Sequence, residues 1–121
     1  GTEHRPALLY TFGVAGGHIS EVQFCKLLSE NPAKLFGLYP EKGVLQVGSD
    51  GDITVWDPHF RQTLSAQTQT QAADYTPYEG TETVGRADTV FLNGTPVVEN
   101  GKLIAKNKGS YLRRHAATFW R

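Results

Sequence analysis

Ser29-Glu30-Asn31-Pro32-Ala33-Lys34-Leu35-Phe36-Gly37-Leu38-Tyr39-Pro40, followed by Gly48-Ser49-Asp50-Gly51-Asp52-Ile53-Thr54-Val55-Trp56-Asp57-Pro58, is the stretch on which the fold turns. Asn31-Pro32 reads as a helix start. Asparagine is a good N-cap, and proline is tolerated at the first helical position, where its missing N–H would be unpaired anyway. Ala33 to Phe36 then makes a short helix, and Gly37 ends it in the left-handed conformation. After Pro40 the apolar period changes to two. Val44, Leu45 and Val47 suggest a short strand, and Gly48-Ser49-Asp50-Gly51 is a turn cluster. Ile53 to Trp56 forms a second strand, stopped by Asp57-Pro58.

Upstream, Ser20 and Gln23 have capping-box spacing, so each side chain can bond the other's free backbone N–H. Val22, Cys25 and Leu28 follow at helical spacing, joined by Phe24 and Leu27, and such a stripe must face other protein. Residues 1–17 show no clean period. Downstream, Thr63 and Leu64 suggest another strand. Residues 65–86 are polar and rich in Gln and Thr; Tyr75 and Tyr78 mark them as an ordered surface loop. Val90 and Leu92 precede Asn93-Gly94, the favoured type I′ dipeptide. Val97 and Val98 come next, then Asn100-Gly101, then Leu103 and Ile104, which together read as a three-strand meander. A basic tail (Lys106, Lys108, Arg113, Arg114) ends in Phe119-Trp120-Arg121. The expected organisation is helices first, short antiparallel strands next, and a tail last. About six short strands are too few to close a sandwich, so their apolar faces need partners from elsewhere.

The bulk numbers exclude several classes. At 121 residues there is room for one core and not two. Lys plus Arg (12) balances Asp plus Glu (12), which argues against nucleic-acid binding and gives no support for a membrane surface. No apolar run approaches the ~20 residues that span a bilayer. The one cysteine, Cys25, cannot form an internal disulfide and is read as a small core residue; a reducing, cytoplasmic compartment is expected. Methionine is absent, and the expectation is that these residues belong to a longer polypeptide.

Reactive constellations are not legible. His4, His18, His59 and His115 form no H-x-H or H-x-x-x-H pair, and no acidic residue joins them at metal-ligand spacing. Asp50 and Asp52 lack the remaining ligands of a calcium loop, so turn and strand-start roles are assigned to them. Ser49 lies in a turn without a nearby histidine. Gly13 to Gly17 lacks the preceding strand of a phosphate-binding loop. Arg113-Arg114-His115 reads as a solvated tail or a subunit contact. Tyr75, Tyr78 and Glu79 could line a pocket, but packing anchors are the simpler assignment for the tyrosines.

The segment Asn31-Pro32-Ala33-Lys34, the run Gly48-Ser49-Asp50-Gly51-Asp52-Ile53 and the loop Asp74-Tyr75 with Tyr78-Glu79-Gly80 together resemble the C-terminal signature of the amidohydrolase superfamily, most closely its hydantoinase/dihydropyrimidinase branch. Gly1, Glu3 and Arg5, with Leu9-Tyr10 behind them, are similar to the segment after the last barrel strand, and Asn93-Gly94 through Gly101 to the last sandwich strands. The resemblance implies an α/β parent, a TIM-like barrel plus a β-sandwich built from both chain ends. Residues 1–42 are then expected to be the C-terminal helical part of the barrel domain, 43–105 the C-terminal part of the sandwich and 106–121 a basic tail. Two activities are open: a cyclic amide hydrolase opening hydantoin or dihydropyrimidine rings (or a related allantoinase), and a metal-free binding homologue like the collapsin response mediator proteins.

The resemblance also implies two divalent metals, expected to be zinc, with every ligand upstream of this chain. No catalytic, cofactor-binding or metal residue is therefore assigned here. The implied partners are the N-terminal part of the same polypeptide and further copies in a homo-oligomer, with Tyr111 to Trp120 reaching a neighbouring subunit. The sequence departs from the pattern in two places. Gln69 and Thr70 stand where the family loop usually carries a pair of histidines, and Gly51 replaces the usual alanine.

Overall fold

A computed structural model describes residues 2–106 and 108–117. Gly1 and the Phe119-Trp120-Arg121 end of the tail, both singled out in the sequence, lie outside the described residues. The elements are α1 (Arg5–Leu8), a π-helical stretch Leu9–Ala15, α2 (Glu21–Cys25), a π-helical stretch Lys26–Glu30, α3 (Asn31–Leu35), and strands β1 (Ile53–Thr63), β2 (Glu82–Leu92), β3 (Thr95–Glu99) and β4 (Lys102–Leu103). The strands form one sheet in the order β1-β2-β3-β4. Short helices followed by antiparallel β structure is thus the observed order. The chain divides into two compact units, Gly1–Phe24 with Asp57–Arg86, and Cys25–Trp56 with Ala87–Arg121.

In the first unit the segment that showed no period is helical. Its widened turn centres on Thr11, whose hydroxyl lies 2.7 Å from the Ala7 carbonyl one turn back and 3.2 Å from the Val84 carbonyl, and accepts the Val84 N–H at 3.0 Å. A threonine that bonds its own helix and a strand together disturbs the i→i−4 ladder. The capping box between Ser20 and Gln23 forms in both directions, at 2.8 and 3.1 Å. Of the apolar stripe that follows, Phe24 is the buried member, edge-on to Tyr10 at 5.5 Å. Cys25 is exposed, not a core residue, and Val22 and Leu27 are exposed with it. Phe24 and Cys25 are adjacent, and on a helix neighbours point about 100° apart, so burying one turns the other outward. The Arg86 guanidinium stacks over the Phe60 ring at 3.8 Å.

In the second unit Asn31 is not a cap. It is fully helical, and its N–H bonds Lys26 O five residues back. The wide turn carries the chain past the donor-less Pro32 without a break, so the two expected helices join. The end of α3 forms as expected. Gly37 has φ +70°, Leu38 N–H bonds Ala33 O at 2.8 Å, and Gly37 N–H bonds Lys34 O at 3.4 Å, a Schellman cap. The tail returns to this point, with His115 N–H on Gly37 O at 2.8 Å.

The sheet corrects the expected strand count. Residues 44–47 form turns rather than a strand, with Leu45 and Val47 exposed; alternation alone gives a strand no partner to pair with. Asp57-Pro58 does not stop β1, because β1 is an edge strand, where a residue without an N–H is tolerated. Thr63 is therefore the end of β1, and Leu64 is buried beside it. β2 begins at Glu82, inside the region assigned to a loop. Its first buried positions are Thr83 and Gly85, which carry no apolar signal. Both Asn-Gly turns form, with φ 50° and 75° at Asn93-Gly94 and 50° and 70° at Asn100-Gly101. They set the registers Leu92↔Thr95 and Glu99↔Lys102.

Gly37 generates a prediction. A Cβ there would lie 1.9 Å from the His115 carbonyl oxygen, on a residue already in the left-handed region. Gly37→Ala in the full-length protein should cost roughly 2–3 kcal/mol and free the tail. A lowered denaturation midpoint, with faster proteolysis after residue 105, is the expected outcome.

Candidate functional site

A polar cluster of three charged side chains is built on the stretch from Gly37 to Asp52. The cap at Gly37 leads into a turn in which Lys42 N–H bonds Leu38 O at 2.8 Å. That turn projects the Lys42 ammonium between two carboxylates: Asp50 at 2.7 Å, and Asp52 in a closer contact. Asp52 also accepts the Asn93 N–H at 2.9 Å, and Gly94 N–H bonds Gly51 O at 2.9 Å. Ser49 donates its hydroxyl to Pro40 O at 2.6 Å. Asp50 and Asp52 thus hold the turn and the strand start, as the sequence suggested. Their ammonium partner went unread, although a lone Lys42 before an Asp-x-Asp pair is a legible charge signal. Gly51 has a physical reason as well: an alanine Cβ would lie 3.0 Å from Gly94 N.

Electrostatics tighten the cluster. Partial burial opposes ionisation of Asp52, but the Lys42 ammonium and the Asn93 N–H outweigh it and hold the carboxyl below its usual value. Burial likewise disfavours the Lys42 ammonium, and hydrogen bonds to Asp50 and Asp52 outweigh that and raise its pKa. The cluster is saturated, with each charge facing its opposite, so it offers neither a free base nor a nucleophile.

A second constellation lies in the other unit. The Glu3 carboxylate accepts the N–H groups of Thr70 (2.8 and 2.9 Å) and Gln71 (3.1 Å). His4 is buried, edge-on to Tyr78, with Nδ1 3.4 Å from the Thr76 hydroxyl. Glu79 caps the start of the loop through Ala66 N–H at 2.8 Å, and that bond holds its carboxyl below the ordinary value. Tyr78 is the packing anchor expected of it, whereas Tyr75 is 69 % exposed. No sequence pattern links Glu3 to residues 67 positions away. A polar cavity of about 500 Å³ in the same unit is lined by Thr11, Arg61, Thr63, Glu82 and Thr83, among others, and by no histidine.

The remaining candidates do not converge. His18 and His59 are exposed, and the His59 backbone N–H bonds the Asp57 carboxylate at 2.9 Å within β1. The side chains of Arg113, Arg114 and His115 are exposed. Among the described residues no group of three or more His, Cys, Asp or Glu could hold a metal ion. The carboxylates that do cluster, Asp50 and Asp52, are occupied by Lys42. Among the described residues the donor set therefore offers no site for the metals that the resemblance implies, and no chemical step is routed through it. No helix among the described residues is long and apolar enough to cross a membrane.

The profile of the amidohydrolase family matches residues 3–97, and the chain belongs to that family. It is 41 % identical over 115 residues to the D-hydantoinase of Streptomyces coelicolor, covering 94 % of this chain and 24 % of that protein. The structure superimposes on the D-hydantoinase (dihydropyrimidinase) from Thermus sp. with a TM-score of 0.89 at 39 % identity, over 98 % of this chain and 26 % of that one. The dihydropyrimidinase from Brevibacillus agri gives 0.87 at 38 % identity, over 96 % and 25 %. The chain spans about a quarter of the length of the curated relatives it matches.

The clamp generates a prediction with a defined sign. The folded-state pKa of Asp52 is depressed, so its contribution is present above the unfolded value near 3.9 and lost as pH falls through the folded value. That of Lys42 is raised, so its contribution is present below about 10.4 and lost as pH rises beyond it. In the full-length protein Asp52→Asn should lower stability at pH 7 by about 1–2 kcal/mol. Urea midpoints of wild type and variant should converge as pH drops below about 4.

Proposed function

We propose that this chain is the C-terminal portion of a metal-dependent cyclic amide hydrolase that opens ureide rings of the hydantoin and dihydropyrimidine type. Residues 1–42 complete the helical part of a TIM-like barrel, 43–105 complete a β-sandwich, and 106–121 form a tail that contacts a neighbouring subunit. Two divalent metals, zinc in the first instance, are held by residues outside this chain. When bound, such metals would supply Lewis-acid activation of a water for amide hydrolysis. The observation that carries this reading is the superposition, over 98 % of the chain, on a D-hydantoinase at 39 % identity. The saturated Lys42 cluster supports the scaffolding role, since its ion pairs and the Asp52–Asn93 bond tie the turn after α3 to the start of β1 and to the Asn93-Gly94 turn.

The test uses the complete open reading frame that contains this sequence. Purified with zinc, the full-length protein should hydrolyse hydantoin or dihydrouracil, lose activity with a chelator and regain it on metal addition. Residues 1–121 by themselves should bind no zinc stoichiometrically and show no turnover. A full-length protein that binds no zinc and shows no ring-opening activity would replace this reading with a binding role for the same fold.

The tail carries a separate prediction. Deleting residues 109–121 from the full-length protein should reduce its oligomer size in light scattering. An unchanged mass would remove the subunit-contact role.

A further inference from the structure

Residues 65–80 leave and return to one point in the first unit. Leu64 N–H bonds Thr81 O at 2.9 Å, and Gly80 N–H bonds Leu64 O at 2.9 Å. Thr76 is buried and Tyr78 packs on His4, so the returning half of the loop is seated. The outer part is different. Its internal bonds run from Gln69 Nε2 to Ala73 O (2.6 Å) and Tyr75 O (3.2 Å), and from Gln71 Nε2 to Gln69 Oε1 (2.7 Å). Residues 72–75 are exposed. Among the described residues, the group outside the loop that hydrogen-bonds this part is the Glu3 carboxylate. Both of its oxygens are used, on the consecutive N–H groups of Thr70 and Gln71.

We propose that residues 65–80 are a two-part flap, with a neck fixed by backbone pairing and an outer part, 69–75, that is latched by Glu3 and opens independently when the latch is lost. Geometry carries the inference. Two adjacent amides aimed at one carboxylate make a charge-assisted grip of higher strength than neutral hydrogen bonds. Burial raises the pKa of Glu3, and the Thr70 and Gln71 N–H groups outweigh it, so the latching form is the ionised one. Compact loops with closed necks are frequent carriers of function, and elements that move are drawn from regions with few buried contacts. The inference goes beyond the ring-opening reading and holds whether or not that reading does.

Amide hydrogen exchange on the full-length protein tests it. Glu3 is exposed, so Glu3→Gln leaves the fold intact. In that variant the Thr70 and Gln71 amides should exchange roughly tenfold faster than in wild type, and protease should cut within 69–75. The amides of Leu64, Gly80 and Thr81 should keep their protection. Unchanged protection at Thr70 and Gln71 would overturn the proposal, as would acceleration of neck and outer part together.

Discussion

An ammonium with a carboxylate on either side holds one of the two units together. Lys42 reaches Asp50 and Asp52 because the Gly37 cap turns the chain at the end of α3 and Leu38 O then takes the Lys42 N–H. Asp52 passes the constraint on to the Asn93-Gly94 turn, and with it to the register of β2 on β3. Helix end, turn cluster and hairpin are therefore successive links of one chain of contacts. A partly buried ammonium that lost its carboxylates would be left desolvated and unpaired, which makes removing one member costly relative to the modest worth of a surface pair.

The parts legible in the sequence were those with local causes. A left-handed glycine after a short helix, a reciprocal Ser20–Gln23 cap and two Asn-Gly turns each depend on residues within a few positions, and each formed as read. The misreadings share the opposite property. Asn31 and Pro32 looked like a helix start, yet a π-helical turn seated nearby absorbed the proline. Leu45 and Val47 alternate like a strand but have no neighbour to pair with. β1 ran through Pro58 because it lies at an edge, and β2 began early on Thr83 and Gly85, whose burial has no apolar signature. Glu3 on Thr70 and Gln71 was not legible at all, since a carboxylate can serve any backbone amide the fold brings to it.

Chemistry follows the same division. Membership of the amidohydrolase family rests on a long, continuous match, while the side chains that interact most strongly here are engaged with backbone or with one another. Cys25, read as core, turned out to be exposed, and Tyr75 stands out from a loop in which Tyr78 is packed. The polar residues of this chain set shape: they decide where strands start, where loops close and where the helices end.

The Thr11 hydroxyl has a consequence for what the sheet cannot do. It takes the Val84 N–H and lies within reach of the Val84 carbonyl, the two groups with which a strand residue recruits a neighbour. A free edge presenting both is a template on which any extended peptide can assemble. β2 lies between β1 and β3 in the sheet, and at Val84 one small side chain occupies the place a further strand would need.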